Sequence, residues 1–163
     1  MRKNTFLSCG SRLRKIKMLI SGFPGVGKTR ASKIFNALID LDSMQYVNRP
    51  KYPYCYMYDA IHLSKKGYIV LIAQEPRVVE LMVMSGEDYV IVCPDISLKN
   101  EYMLRYLNRG NADAWIDKAM ASWENHLNKM KEYPRNNIII LKSGQYLTDV
   151  MTDIQIRKDR KKT

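Results

Sequence analysis

The 163-residue chain is long enough for one domain with a single sizeable core, and its 46% hydrophobic content is ordinary for a globular protein. No apolar run reaches the roughly 18 residues of a transmembrane helix. The apolar part of the basic start is only Phe6 and Leu7, too short for a signal-peptide core, so the expected location is cytoplasmic. Of the net charge of +11, residues 1–17 contribute six Lys/Arg with no acid, and residues 157–163 contribute five against Asp159. The body is therefore near neutral. The expected organisation is a basic N-terminal tail (1–15), one domain (16–156) and a basic C-terminal tail (157–163). Met18 is an alternative translation start, which would leave residues 1–17 untranslated. Such tails are usually solvated; loose, salt-sensitive contact with nucleic acid is the alternative. Cys9, Cys55 and Cys93 lie far apart with no CxxC, which excludes a zinc ribbon or disulfide framework and points to reduced thiols.

Strand and helix signals alternate from Ile16 onward. "IKMLIS" (16–21) predicts a buried strand, followed by a glycine-spaced loop and a helix from Lys28 to about Ala37. "ALIDLD" (37–42) predicts a second strand. A tyrosine-rich stretch leads into a helix from about Tyr54 to Lys66, stopped by Gly67. "YIVLIAQ" (68–74) predicts a third strand, then a helix with Pro76 in its first turn. "YVIVCPD" (89–95) is a fourth strand, with Ser97 as the expected N-cap of a helix reaching Arg109. One long helix is expected over 112–131, with Trp115, Ala119, Trp123, Leu127 and Met130 along a core-facing stripe. "NIIILK" (137–142) is a fifth strand, and a last helix starts near Thr148. Five apolar strands alternating with helices predict an α/β fold, a mostly parallel five-stranded sheet with helices on both faces.

The loop "GFPGVGKT" (22–29) satisfies G-x-x-x-x-G-K-[ST] through Gly22, Gly27, Lys28 and Thr29. Glycines let successive backbone N–H groups converge on phosphate oxygens, and the next helix presents its positive end to the same anion. Lys28 would bridge the outer phosphates and the Thr29 hydroxyl would ligate Mg²⁺. ATP, with Mg²⁺, is the expected cofactor, contacted by Gly22, Gly25, Val26, Gly27, Lys28, Thr29 and Arg30. With a strand before it and a helix after it, the loop resembles that of the small P-loop kinases. That group includes nucleoside monophosphate kinases and shikimate kinase, and the chain looks most like compact bacteriophage-encoded nucleotide-kinase-like proteins. The resemblance covers most of residues 16–150. It implies the P-loop NTPase fold and phosphoryl transfer from ATP to a small-molecule acceptor, a (deoxy)nucleoside monophosphate. Alternatives are a kinase of polynucleotide 5′ ends or of another small molecule, and a nucleotide-binding or nucleotide-hydrolysing protein that is not a kinase.

The resemblance also assigns roles beyond the loop. In the Asp-x-Asp of "DLDS", Asp40 would support the metal and Asp42 would hold or activate the acceptor; the alternative is that one of the pair caps the following turn. "AQEPR" puts Gln74 and Glu75 where related kinases often carry Asp, with only Pro76 and Arg77 matching the adenylate-kinase pattern. Glu75 would compensate, or would simply start a helix. In "YVNRPKYPYCYMYD", Arg49 would hold a monophosphate and Tyr54 is the expected acceptor contact, the other reading being that these tyrosines pack a helix onto the sheet. Arg105 and Arg109 lie four apart on one helix face, opposite an expected core stripe of Met103, Leu104 and Leu107. They would form a catalytic lid over the transferring phosphoryl group, or belong to an ordinary surface helix. "LKSGQ" (141–145) resembles the loop that backs the adenine ring, or Gly144 merely ends the strand.

Overall fold

A computed structural model describes residues 16–160, with side chains described to residue 155. The N-terminal tail (1–15), which is most of the segment ahead of the alternative start at Met18, and the last three residues of the C-terminal tail lie outside the described residues. Five strands, β1 (Met18–Gly22), β2 (Leu38–Asp40), β3 (Ile69–Ala73), β4 (Tyr89–Pro94) and β5 (Ile138–Leu141), form one sheet in the order β2-β3-β1-β4-β5. Every pairing is parallel. The three inner strands are almost wholly buried, which is why they read as continuous apolar runs rather than alternating ones.

Among the described residues seven helices accompany the sheet: α1 (Lys28–Ile34), α2 (Tyr54–Lys65), α3 (Pro76–Met84), α4 (Lys99–Asn108), α5 (Asp113–Ala121), α6 (Trp123–Met130) and α7 (Leu147–Arg160). The connection from β1 to β2 runs towards one edge of the sheet, whereas those from β3 and β4 run towards the other. Right-handed crossovers then put α1 on one face and α2 and α3 on the opposite face. The packing agrees, α1 meeting α7 and α2 meeting α3. The carboxyl end of β1 is where these directions reverse, the place where open α/β sheets form a crevice. Among the described residues no helix is long and apolar enough to cross a membrane.

Several boundaries differ from expectation for identifiable reasons. The helix expected over 112–131 is two helices. Ser122 turns its hydroxyl back onto the Lys118 and Ala119 carbonyls at 3.0 and 3.3 Å and adopts the capping conformation between them. Trp123, Leu127 and Met130 are buried as expected, but Trp115 is 39% exposed and only edges onto Tyr106. Ser97 is not the cap of α4; Asp95 caps a short 3₁₀ turn (Ile96–Leu98) that precedes it, accepting from the Ser97 N–H at 2.9 Å. On α4 the stripe is inverted. Tyr102 and Tyr106 are fully buried while Leu104 and Leu107 are exposed, because the aromatic pair fills the space behind the glycine loop. The helix α7 continues through residues 157–160 of the segment expected to be a tail.

Candidate functional site

The loop after β1 sits at the reversal of the sheet and is held tightly. Gly25 and Gly27 have φ of 89° and 90°, a backbone region in which a β-carbon is strained. A side chain at either would also meet a tyrosine, Tyr106 at 3.0 Å from Gly25 and Tyr146 at 3.1 Å from Gly27. These two glycines are required by both backbone and neighbours.

Lys28 opens α1 and curls back, donating from Nζ to the Gly22 carbonyl at 2.7 Å. It is half-buried rather than exposed. Burial pushes its pKa down to about 8; the nearby carboxylates of Asp40 and Asp42 pull it up and the Arg109 charge pushes it further down. That balance places both aspartates and Arg109 within electrostatic reach of one ammonium group. Beside it, the Thr29 hydroxyl donates to Asp40 Oδ2 at 2.7 Å. The structure thus brings together Lys28, Thr29 and Asp40.

Asp42 reaches the site differently from the expectation. The strand β2 ends at Asp40, so the period-two argument for two parallel carboxylates does not apply. Asp42 caps a 3₁₀ turn (Ser43–Gln45), accepting from the Met44 N–H at 3.0 Å, and its side chain remains exposed.

The tyrosine-rich segment divides in two. Tyr56 is fully buried and bridges two strand ends, donating to the Leu41 carbonyl at 2.7 Å and accepting from the Ala73 N–H at 2.9 Å. Tyr46 is also buried and donates to Asp59 at 2.7 Å. Tyr52 donates to Glu75, tying this segment to the start of α3. Arg49 lies over the Tyr46 ring at 4.1 Å and Tyr54 is 59% exposed. No hydrogen bond or ion pair among the described residues joins Arg49 or Tyr54 to Lys28, Thr29 or Asp40.

Gln74 is a structural residue that sequence reasoning treated only as a missing acid. Its buried amide donates to the Ser21 and Val92 carbonyls at 3.1 Å each, across the ends of β1 and β4. Its oxygen receives the Cys93 thiol at 3.3 Å and faces His126 Nε2 at 3.2 Å. Burial drives the His126 pKa down to about 4, so the ring is neutral and Nε2 carries the donated proton. A carboxylate at position 74 would confront two strand carbonyls.

Arg105 is not part of an open lid. It donates from Nη1 to the Gly25 carbonyl and from Nη2 to the Gln145 carbonyl, both at 3.0 Å, and pairs with Glu101 at 2.6 Å. Its guanidinium lies over the rings of Tyr102 and Tyr146 at 4.4 and 4.0 Å. Its planar fork makes three hydrogen bonds to fixed partners, so it is a fastener between α4, the loop after β5 and the glycine loop. Glu101 secures the same junction, accepting from Ser143 at 2.8 Å and from the Gly144 N–H at 3.0 Å. Burial alone would raise the Glu101 pKa, but these donors together with Arg105 hold it below the usual range. Arg109, at the C-cap of α4, is exposed. Tyr146 and Leu147, which follow "LKSGQ", are the residues that meet the glycine loop, Tyr146 beside Gly27 and the Leu147 N–H on the Val26 carbonyl, and Arg30 approaches Tyr146 at 5.7 Å.

Sequence reasoning missed Tyr106, Glu101 and Tyr146. The i,i+4 spacing of Tyr102 with Tyr106 and of Glu101 with Arg105 was the available signal. The chain matches no family model and no curated protein.

Proposed function

We propose that the chain is a P-loop kinase that transfers a phosphoryl group from ATP to a small acceptor, a (deoxy)nucleoside monophosphate. The observation that carries the reading is the strand–loop–helix at the reversal of the sheet. There two left-handed glycines precede a half-buried lysine, and a threonine hydroxyl and a carboxylate oxygen lie 2.7 Å apart beside it. Lys28 would exchange the Gly22 carbonyl for phosphate oxygens.

Thr29 and Asp40 fit Mg²⁺, a cation that takes one or two protein oxygens and keeps waters and phosphate oxygens for the rest. Bound there with ATP, it supplies charge neutralisation of the phosphate chain. The acceptor would lie between the Asp40/Asp42 end of β2 and the tyrosine segment, with Arg49 and Tyr54 on its outer side. Arg109, exposed at the end of α4 and within electrostatic reach of Lys28, would supply a guanidinium to the phosphates. Nothing covalent is required of the protein; positioning and electrostatics provide the acceleration. ATP and nucleoside monophosphates as reactants imply a cytoplasmic protein.

The test is a panel of phosphoryl-transfer assays. ATP is combined with each ribo- and deoxynucleoside monophosphate, with shikimate-like hydroxy acids and with a 5′-hydroxyl oligonucleotide. Transfer to a nucleoside monophosphate is the expected result. Transfer only to the oligonucleotide, or hydrolysis with no acceptor used, would replace this reading by one of its rivals.

A further inference from the structure

Three consecutive carbonyls of the glycine loop are tied down from outside it. The Pro24 carbonyl accepts from the Tyr106 hydroxyl at 2.9 Å, the Gly25 carbonyl from Arg105 Nη1 at 3.0 Å, and the Val26 carbonyl from the Leu147 N–H at 2.8 Å. In a planar trans peptide the C=O of one residue and the N–H of the next point in opposite directions. Anchoring these oxygens outward therefore turns the N–H groups of Gly25, Val26 and Gly27 inward. The Val26 N–H closes the loop onto the Phe23 carbonyl at 3.2 Å. Those of Gly25 and Gly27 have no protein acceptor among the described residues.

Tyr106 and Arg105 are both well placed for such a task. Tyr106 is fully buried, and its ring is the nearest neighbour of any atom added to Gly25. The Arg105 side chain is 9% exposed and is oriented by Glu101. A loop with left-handed glycines is free to flip its peptides unless something outside fixes them.

We propose that Tyr106 and Arg105 are positioning residues for phosphate binding, acting through the backbone. The Tyr106 bond to the Pro24 carbonyl selects the peptide orientation in which the Gly25 amide faces an anion, and the Arg105 bond to the Gly25 carbonyl holds the loop closed through the Val26 N–H on the Phe23 carbonyl. This rests on the nucleotide-binding reading above and adds to it. The residues that prepare the amides lie on α4, behind the loop, and the arginine expected to touch the transferring group prepares the site instead. Preorganised amides bind an anion without a flip at the moment of binding.

The experiment uses the full chain, ¹⁵N-labelled and titrated with sodium tripolyphosphate and with Mg-ATP. Tyr106→Phe deletes one hydroxyl, keeps the ring and changes no charge. It is expected to weaken both probes about tenfold, the scale of one directed hydrogen bond. The Gly25 amide resonance should lose most of its ligand-induced shift, while Gly27, held through Leu147, keeps its own. Tyr102→Phe, one turn away on the same helix, removes a buried hydroxyl with no hydrogen-bond partner among the described residues. It should bind both probes like wild type. Arg105→Lys retains charge but loses the planar fork, so it should weaken binding and move the Val26 amide.

Wild-type affinity in Tyr106→Phe with an unchanged Gly25 shift would overturn the proposal and leave nucleotide binding standing. Equal weakening in Tyr102→Phe and Tyr106→Phe would overturn it too, since the effect would then be general loosening of the aromatic layer. If Tyr106→Phe does not fold, Arg105→Lys decides through the Val26 resonance, and no change there overturns the proposal. Failure of the wild-type chain to bind either probe would overturn this and the nucleotide reading together.

Discussion

At Lys28 the proposed phosphate site and a perturbed amine meet. The protein holds this lysine at a pKa near 8, chiefly because it is buried, against an unperturbed 10.5. A bound polyphosphate favours the charged form, so binding raises that pKa and takes up a proton once the free lysine has begun to lose its own. Mg-ATP affinity should therefore be flat with respect to this group below about pH 8. Above it, affinity should fall by up to about tenfold per pH unit. Titrations at pH 7, 8 and 9 check the slope, and Lys28→Met should abolish it. A slope that persists in Lys28→Met would assign it to another group. The same site shows what sequence spacing conveys. The strand, glycine-spaced loop and helix around Gly22, Lys28 and Thr29 were legible because such a turn is a local chain geometry. The acceptor role expected of Asp42 rested on β2 reaching residue 42; the strand stops at Asp40, and Asp42 instead fits the other reading of the pair, a cap on the following turn.

At the scale of elements, the strand ends are held by side chains rather than by the ladder alone. Tyr56 joins the end of β2 to the end of β3 through two hydrogen bonds from one hydroxyl. Tyr56→Phe leaves the Leu41 carbonyl and Ala73 N–H short of a partner, which should cost about 2–3 kcal/mol in urea unfolding. A loss under about 0.5 kcal/mol would mean that those groups find other partners.

Gln74 performs the matching task for β1 and β4. Gln74→Glu should destabilise the fold rather than install a metal ligand, because carboxylate oxygens would replace two donors facing carbonyls. Thermal melts with and without Mg²⁺ read both consequences, and a Mg²⁺-dependent rise in Tm would contradict this. The five strands were legible as apolar runs. The inversion of α4 was not, since leucine and tyrosine are both apolar enough for a core stripe. What decided between them was the need for flat rings behind Gly25, a tertiary demand invisible to periodicity.

Across the whole molecule, the core is unusually dependent on neutral phenols. Tyr52, Tyr56, Tyr102 and Tyr106 all have pKa values raised above the ordinary 10.0, with burial as the largest cause. In the unfolded chain they ionise near pH 10 while the folded protein keeps their protons, so stability is lost as pH rises past about 10. Lys28 acts in the opposite sense between about pH 8 and 10.5, but it is one group against four. Urea midpoints should therefore fall between pH 10 and 12, and Tyr102→Phe should flatten that fall. An unchanged pH slope in Tyr102→Phe would contradict the assignment.

The charge is organised on the same scale. Residues 1–15 and 161–163 together carry seven Lys/Arg and no acid. Deleting them should leave phosphoryl transfer to a nucleoside monophosphate nearly unchanged and remove most retention on nucleic acid at low salt. Loss of that transfer on trimming would favour a polynucleotide acceptor.

The central claim is that residues 22–29 hold the phosphates of a nucleotide, and calorimetric titration of the full chain with Mg-ATP at pH 7 tests it most directly. The wild-type protein should bind one Mg-ATP per chain, and Lys28→Met, still cooperatively folded, should bind at least about 100-fold more weakly. No binding by the wild-type chain, or equal binding by Lys28→Met, would contradict the account.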